Sequence, residues 1–261
     1  MASAGSGQLQ GRVAIVTGGG TGIGRGIALL FAAEGARVVV TGRRKEPLDQ
    51  TVSDIAAAGG QAQAISADVS SPADCQRVVR ETVSRFGALH TLVNNAGMAR
   101  FGAVDQNSDE DITTMVNVNL LGPMYMTKCA IPELVKSKDS GGASIVNISS
   151  SVVDKPVRSF SVYSAAKAGL VHFTKCTALD LAADRVRVNC INPGVVDTPI
   201  FGTMMPADRI ETAMQEFAKQ TPLGRVGAPR DIAEAALYFA SPRASWVTGA
   251  VLTVDGGISL A

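Results

Sequence analysis

Histidine and cysteine are scarce in this chain. There are two histidines, His90 and His172, and four cysteines, Cys75, Cys129, Cys176 and Cys190, all far apart. No C-x-x-C pair occurs, so the cysteines fit neither a disulfide framework nor a zinc site, and no metal is expected. Buried, reduced thiols in a cytoplasmic protein are the expectation instead. Charge of one sign is lacking too, with 24 Lys+Arg against 23 Asp+Glu. The longest basic run, Arg43-Arg44-Lys45, suggests neither a nucleic-acid surface nor a polybasic membrane anchor. No apolar run approaches a bilayer span, so no membrane partner is expected. Met1–Gln10 has neither the charged start nor the apolar stretch of a secretion signal and reads as a disordered lead-in.

What the chain does have is regular alternation. Val13–Val16, Val38–Thr41, Ala62–Ser66, Thr91–Asn94, Ser144–Ile148, Val186–Ile191 and Val251–Val254 read as buried, β-branched strands. Between them lie helical patterns: one beginning near Gly22, then Leu48–Ala58, one from Pro72, Asp109–Val135, Tyr163–Ala183 and Asp231–Ala240. Gly122-Pro123 is expected to bend or interrupt the fourth of these. Such alternation predicts an α/β fold, a doubly wound parallel sheet of about seven strands with helices on both faces. No repeat or linker divides it, so residues 11–261 are expected to be one domain. Residues 192–228 are its irregular stretch, with one helix-like segment at Ile210–Phe217, and read either as a substrate loop region or as a surface cover.

The strand at Val13 runs directly into Thr17-Gly18-Gly19-Gly20-Thr21-Gly22-Ile23-Gly24 and then into a helix. A strand turning through glycines into a helix aims backbone N–H groups and a positive dipole end at one point, which suits a diphosphate. The spacing Gly18-x-x-x-Gly22-x-Gly24 holds one more residue inside the turn than G-x-G-x-x-G. About twenty residues on, where NAD-binding folds place an acid for the ribose, stands Gly42, followed by Arg43 and Arg44. Arg43 suits a 2′-phosphate through its planar fork, so NADP(H) is favoured and NAD(H) is the alternative. The two arginines also fit plain solvated loop positions. Tyr163 and Lys167, at i and i+4, share one helix face, and the ammonium is expected to lower the phenol's pKa into a usable acid/base range. His172, half a turn out of phase with Tyr163, does not suit a Tyr–His pair.

These motifs occur in order with Asn94-Asn95-Ala96-Gly97, Asn192-Pro193-Gly194 and Asp255-Gly256-Gly257. Together they resemble the short-chain dehydrogenase/reductase family of the compact, single-domain, Rossmann-type kind, from about Gly11 to Ile258. The resemblance implies hydride exchange between a nicotinamide and a carbonyl or secondary-alcohol carbon. Tyr163 would exchange the proton and Lys167 would lower its pKa and hold the nicotinamide ribose. Ser150 would hydrogen-bond the reacting oxygen, unless Ser149 or Ser151 takes that place. Asn119 would link the lysine to a water relay, and Asn95, with Ala96 and Gly97, would steady the sheet beside the cofactor. Either asparagine also fits a plain backbone-bridging role. Asp68 and Val69 would contact the adenine, and Thr198, with Pro193 and Gly194, the nicotinamide amide or phosphates.

Thr21 stands where many NADP-preferring members carry a basic residue, so the phosphate preference rests on Arg43. The activity implied is NADPH-dependent reduction of a ketone or 3-oxo group. NAD-dependent alcohol or polyol oxidation is the alternative, and a non-catalytic cofactor sensor a lesser one. A homo-oligomer, tetramer or dimer, is implied by the resemblance alone. The expected pocket residues are Met98, Phe101, Val152, Val153, Phe160, Ile200, Phe201, Met204 and Met205, with Arg100 and Arg158 available to a polar or anionic tail.

Overall fold

A computed structural model describes residues 7–137 and 142–261. The chain runs β1 (Val13–Thr17), α1 (Gly22–Ala33), β2 (Arg37–Gly42), α2 (Lys45–Ala57), β3 (Gln61–Ser66), α3 (Pro72–Phe86) and β4 (Thr91–Asn94). It continues through α4 (Asp109–Val116), α5 (Gly122–Lys136), β5 (Ala143–Ile148), α6 (Ser161–Asp180), β6 (Val186–Pro193), α7 (Ala207–Gln220), α8 (Pro229–Ala240) and β7 (Val251–Val254). The strands form one parallel sheet in the order β3-β2-β1-β4-β5-β6-β7. The order reverses between β1 and β4. At such a switch point neighbouring loops diverge and leave a crevice beyond the strands' carboxyl ends.

The central strands β1, β4, β5 and β6 are buried at every position because both faces of the sheet are covered there, while the edge strands β3 and β7 are largely half-buried or exposed. Along β1, Ala14 and Val16 enter the core beneath α1, α2 and α8, while Ile15 enters the core beneath α3, α5 and α6. In β2, Val38 and Val40 oppose Val39 in the same way. Each fully buried Val, Ile or Leu contributes about 1.5–3 kcal/mol.

Local chemistry sets the ends of the helices. Ser71 accepts a hydrogen bond from the Asp74 N–H, Pro72 occupies the first turn, and Gly87 closes α3 in the left-handed region. The expected lead-in is shorter than residues 1–10. Leu9 is buried and its N–H donates to the Glu34 carbonyl, so packing begins before Gly11; residues 1–6 lie outside the described residues. Helix α2 begins at Lys45, earlier than expected, and Lys45 pairs with Asp49 across its first turn. Pro47 is tolerated there because first-turn N–H groups have no partner inside the helix. The expected interruption near Gly122-Pro123 is a π-helical turn over Asn117–Leu121, just ahead of α5.

The other end of the sheet carries a buried imidazole. His90 Nδ1 accepts the Val13 N–H at 3.0 Å, which requires that nitrogen to be unprotonated. Burial first, then Arg12 and Arg37, pushes its pKa down to about 4. Between that value and the ordinary 6.5, the unfolded chain binds a proton that the folded chain does not. Stability therefore falls as pH falls through this window. Urea unfolding at pH 7 and pH 5 should differ by about 2 kcal/mol, and His90→Asn should flatten that dependence. An unchanged slope in the variant would remove His90 as its cause.

Candidate active site

The loops after β1, β2, β4, β5 and β6 surround one cleft of about 940 Å³. Its length is marked by Gly42, Arg43 and Arg44 in one part, Gly20–Ile23 and Asn95–Gly97 along it, and Ser150, Tyr163 and Lys167 in another. Asp68, Val69, Pro193, Gly194 and Thr198 also line it. Thr17 and Gly24, expected at the cofactor, lie behind this wall. The Thr17 hydroxyl accepts the N–H groups of Asn95 and Ala96 at 3.0 and 2.9 Å, which joins β1 to the end of β4. The Asn95 amide completes the joint by donating to the Thr17 carbonyl at 2.8 Å. Gly24 is where α1 packs on the turn, since a side chain there would collide with the Gly18 carbonyl and the Asn95 amide.

Helix α1 opens on this cleft. Thr21 makes no side-chain cap, and Gly22 holds a φ of 52°, which glycine adopts without strain. A Cβ on Gly22 would meet Thr198 at 3.1 Å, so Thr198 sits against the helix start. Arg43 and Arg44 are exposed, and no described carboxylate forms a salt bridge with either. Open space surrounds Gly42, with Leu48 the nearest neighbour to a built Cβ at 3.8 Å. A bare helix start, glycine walls and a cationic rim fit the charge and shape of a nicotinamide dinucleotide.

The three neighbouring serines divide their work. Ser149 is buried and donates to the Lys167 carbonyl at 3.0 Å, which ties β5 to α6. Ser150, in extended backbone, turns its hydroxyl toward the Tyr163 phenol and accepts the Val152 N–H at 3.4 Å. Ser151 lines the cleft and begins a 3-10 turn, Ser151–Val153.

Tyr163 and Lys167 project from the first turns of α6. The buried Lys167 ammonium donates to the Ile148 carbonyl at 2.8 Å and stands 5.8 Å from the Tyr163 ring centroid. The expected lowering of the phenol's pKa by this ammonium is not what the structure gives. Burial pushes Tyr163 up to about 12, and the opposing influence is the Ser150 hydroxyl. Burial also pushes Lys167 down to about 8. The reason is geometric: the ammonium is committed to a β5 carbonyl and faces the ring, so loss of water dominates.

Asn119 lies behind the cleft, fully buried in the π turn. Its amide nitrogen donates to the Met98 and Met115 carbonyls at 2.8 and 2.9 Å, and its oxygen accepts the Met98 N–H at 3.2 Å. A Cβ on Gly97 would come within 3.0 Å of that oxygen and 3.5 Å of Lys167 Nζ. Asn119 and Lys167 thus meet around Gly97, where a side chain would crowd both.

Of the expected pocket residues, Val153, Arg100 and Arg158 do not line the cleft, and Arg100 pairs with Asp111 at 3.3 Å. The structure adds Lys155, Val157, Phe217, Gln220, Ile258 and Ser259. Asp154 is a further addition: one carboxylate oxygen accepts Asn192 Nδ2 at 3.1 Å and the Thr253 hydroxyl at 2.8 Å, pinning the serine loop to β6 and β7. Spacing gave no signal for these residues, apart from the Asp255-Gly256-Gly257 turn that returns the chain to the cleft. His172 is exposed on α6. All four cysteines are free, but only Cys75 and Cys190 are buried, so the expectation of buried thiols fails for exposed Cys176 and half-buried Cys129. Among the described residues, no helix is long and apolar enough to cross a membrane, and no group of three or more His, Cys, Asp or Glu could hold a metal ion.

A family profile described as enoyl-(acyl carrier protein) reductase matches residues 18–259. The chain is 36% identical over 251 residues to a Thermotoga maritima protein named 3-oxoacyl-(acyl-carrier-protein) reductase FabG, covering 96% of this chain and 99% of that one. It is 40% identical over 253 residues to 2,5-dichloro-2,5-cyclohexadiene-1,4-diol dehydrogenase LinX of Sphingobium indicum, covering 97% and 98%. A crystal structure of 3-ketoacyl-(acyl-carrier-protein) reductase from Brucella melitensis, complexed with NADH, matches with a TM-score of 0.88 at 36% identity, covering 96% of this chain and 99% of that chain. With the sheet order, the glycine turn and the Tyr163–Lys167 pair, these similarities identify the chain as a member of the short-chain dehydrogenase/reductase family, an NAD(P)-dependent oxidoreductase acting on alcohol or ketone groups.

Proposed function

We propose that this enzyme uses NADPH to reduce a ketone to a secondary alcohol, with Tyr163 as the proton donor. The observation that carries this reading is geometric: the Tyr163 phenol faces the Ser150 hydroxyl inside the cleft, with Lys167 one helical turn on and 5.8 Å from its ring. A tyrosine phenol is protonated at neutral pH, so it has a proton to give to a carbonyl oxygen on which negative charge grows.

The nicotinamide, when bound, supplies the hydride. The protein's own residues do the rest. Ser150 donates a hydrogen bond to the substrate oxygen as negative charge grows there, and Tyr163 delivers its proton to that oxygen. Lys167, charged below its pKa of about 8, stabilises the phenolate left behind. Asn119 fixes Met98 and the π turn, so the floor around Gly97 keeps its shape. In this reading residues 11–261 act as one domain and residues 192–228 form its substrate loop region.

The preference for NADPH is drawn from the end of β2, where Gly42 offers no carboxylate to the ribose and Arg43 stands on the rim. The NADH in the Brucella neighbour and the name of the Sphingobium relative, a diol dehydrogenase, together favour a second reading, NAD-dependent oxidation of an alcohol. Fluorescence titrations with NADPH and NADH separate the two. NADPH is expected to bind about tenfold tighter or more, and Arg43→Ala to remove most of that advantage while leaving NADH affinity within about twofold. Equal losses for both cofactors would refute the phosphate role, and tighter NADH binding would favour the second reading.

A further inference from the structure

The cleft continues beyond Tyr163 as a ladder of rings. Phe160 meets Tyr163 edge-on, with centroids 5.5 Å apart and planes at 80°, and Phe101 meets Phe160 at 5.3 Å and 64°. Phe160 immediately precedes α6 and Phe101 lies on the loop after β4, so the ladder joins two separate loops. The Phe101 ring is 61% exposed and Val157, also on the cleft, is 46% exposed. Apolar surface of this kind, continuous with the reacting groups, points to a ligand that covers it. A second apolar wall comes from Phe201 and Phe217, with ring centroids 6.1 Å apart.

Charge is sparse around the ladder. Arg100 is paired with Asp111 and, like Arg158, does not line the cleft. Lys155 lines it as well, its ammonium donating to the Ile258 carbonyl at 3.2 Å and to the Ala261 carbonyl, which places its charge beside the C-terminal segment. Arg43 and Arg44 belong to the region around Gly42, at the end of β2.

From these observations we infer that the substrate is a ketone bearing an aromatic or similar flat apolar ring beside its carbonyl, and that the ring seats on Phe160 and Phe101. This specificity rests on the proposed role of Tyr163 as proton donor to a ketone. Edge-to-face contact with two phenylalanines favours a flat ring over a flexible polar chain.

Steady-state kinetics of the full chain with NADPH, on 1-tetralone, butanone and acetoacetate, test this. The kcat/KM for 1-tetralone should exceed the other two by about a hundredfold. Phe101→Ala, an exposed position whose loss should not impair folding, should lower kcat/KM for 1-tetralone about tenfold more than for butanone, mainly through KM, and Phe101→Trp should restore it. Equal or better turnover of butanone or acetoacetate, or equal losses in the alanine variant, would overturn the inference while leaving ketone reduction intact. No turnover of any ketone would instead overturn the proposed reaction. Ligand-observed NMR with 1-tetralone and the NADPH-loaded protein then judges the ladder alone: a binding signal lost in Phe101→Ala supports it, and no binding refutes it.

Discussion

Tyr163→Phe is expected to lower turnover of a ketone by about a thousandfold while leaving NADPH affinity within several-fold. The substitution removes one oxygen and keeps the ring. That ring packs edge-on against Phe160 and lies under the Lys167 ammonium at 5.8 Å, contacts that phenylalanine retains. The structural cost is the hydrogen bond to Ser150, worth about 1 kcal/mol. What disappears is the phenol's proton, which a tyrosine carries at neutral pH. Initial rates of NADPH oxidation, with a cofactor titration of the same preparation, separate catalysis from binding. A phenylalanine variant with full activity would remove Tyr163 from the chemistry.

Ser150→Ala is expected to lower kcat by about a hundredfold, since one hydrogen-bond donor to the developing oxyanion is lost. The neighbouring Ser149→Ala serves as its counterpart. Ser149 spends its hydroxyl on the Lys167 carbonyl and is buried, so its loss should cost about 1 kcal/mol of stability and change turnover only slightly. Rates and unfolding midpoints of the two variants should therefore move in opposite patterns. If Ser149→Ala is the catalytically silent-to-folding but inactive variant, the roles given to the two serines are reversed.

The fold was legible because its signals are local and repeated. A strand covered on both faces must be apolar at every position, and β1 and β2 satisfy that with Val13–Val16 and Val38–Val40. The glycine turn was legible for the same reason, since a strand, a sharp turn and a helix start leave their marks within a few residues. The π turn was not. Gly122-Pro123 marks a place where a helix is weakened, but the irregularity sits at Asn117–Leu121, where Asn119 reaches Met98 in a distant loop.

Site residues divide along the same line. Tyr163 and Lys167 advertise themselves by spacing on one helix, whereas Asp154, Lys155 and Phe217 join the cleft region only through long-range folding. Thr17 belongs to the same glycine-turn motif, but only folding shows that its hydroxyl accepts the backbone N–H groups of Asn95 and Ala96 and so ties the turn to the β4 loop. The direction of the Tyr163 shift misled because sequence shows a neighbouring charge but not the burial that outweighs it.

The central claim is that this cleft passes hydride to a ketone carbon with Tyr163 supplying the proton. It is tested most directly by incubating the enzyme with NADPH deuterated at the transferable C4 position and 1-tetralone or butanone, and reading the alcohol by mass spectrometry. The account predicts one deuterium on the carbinol carbon from the unsubstituted enzyme and almost no alcohol from Tyr163→Phe. Alcohol without deuterium, or equal deuterated product from the phenylalanine variant, would contradict it.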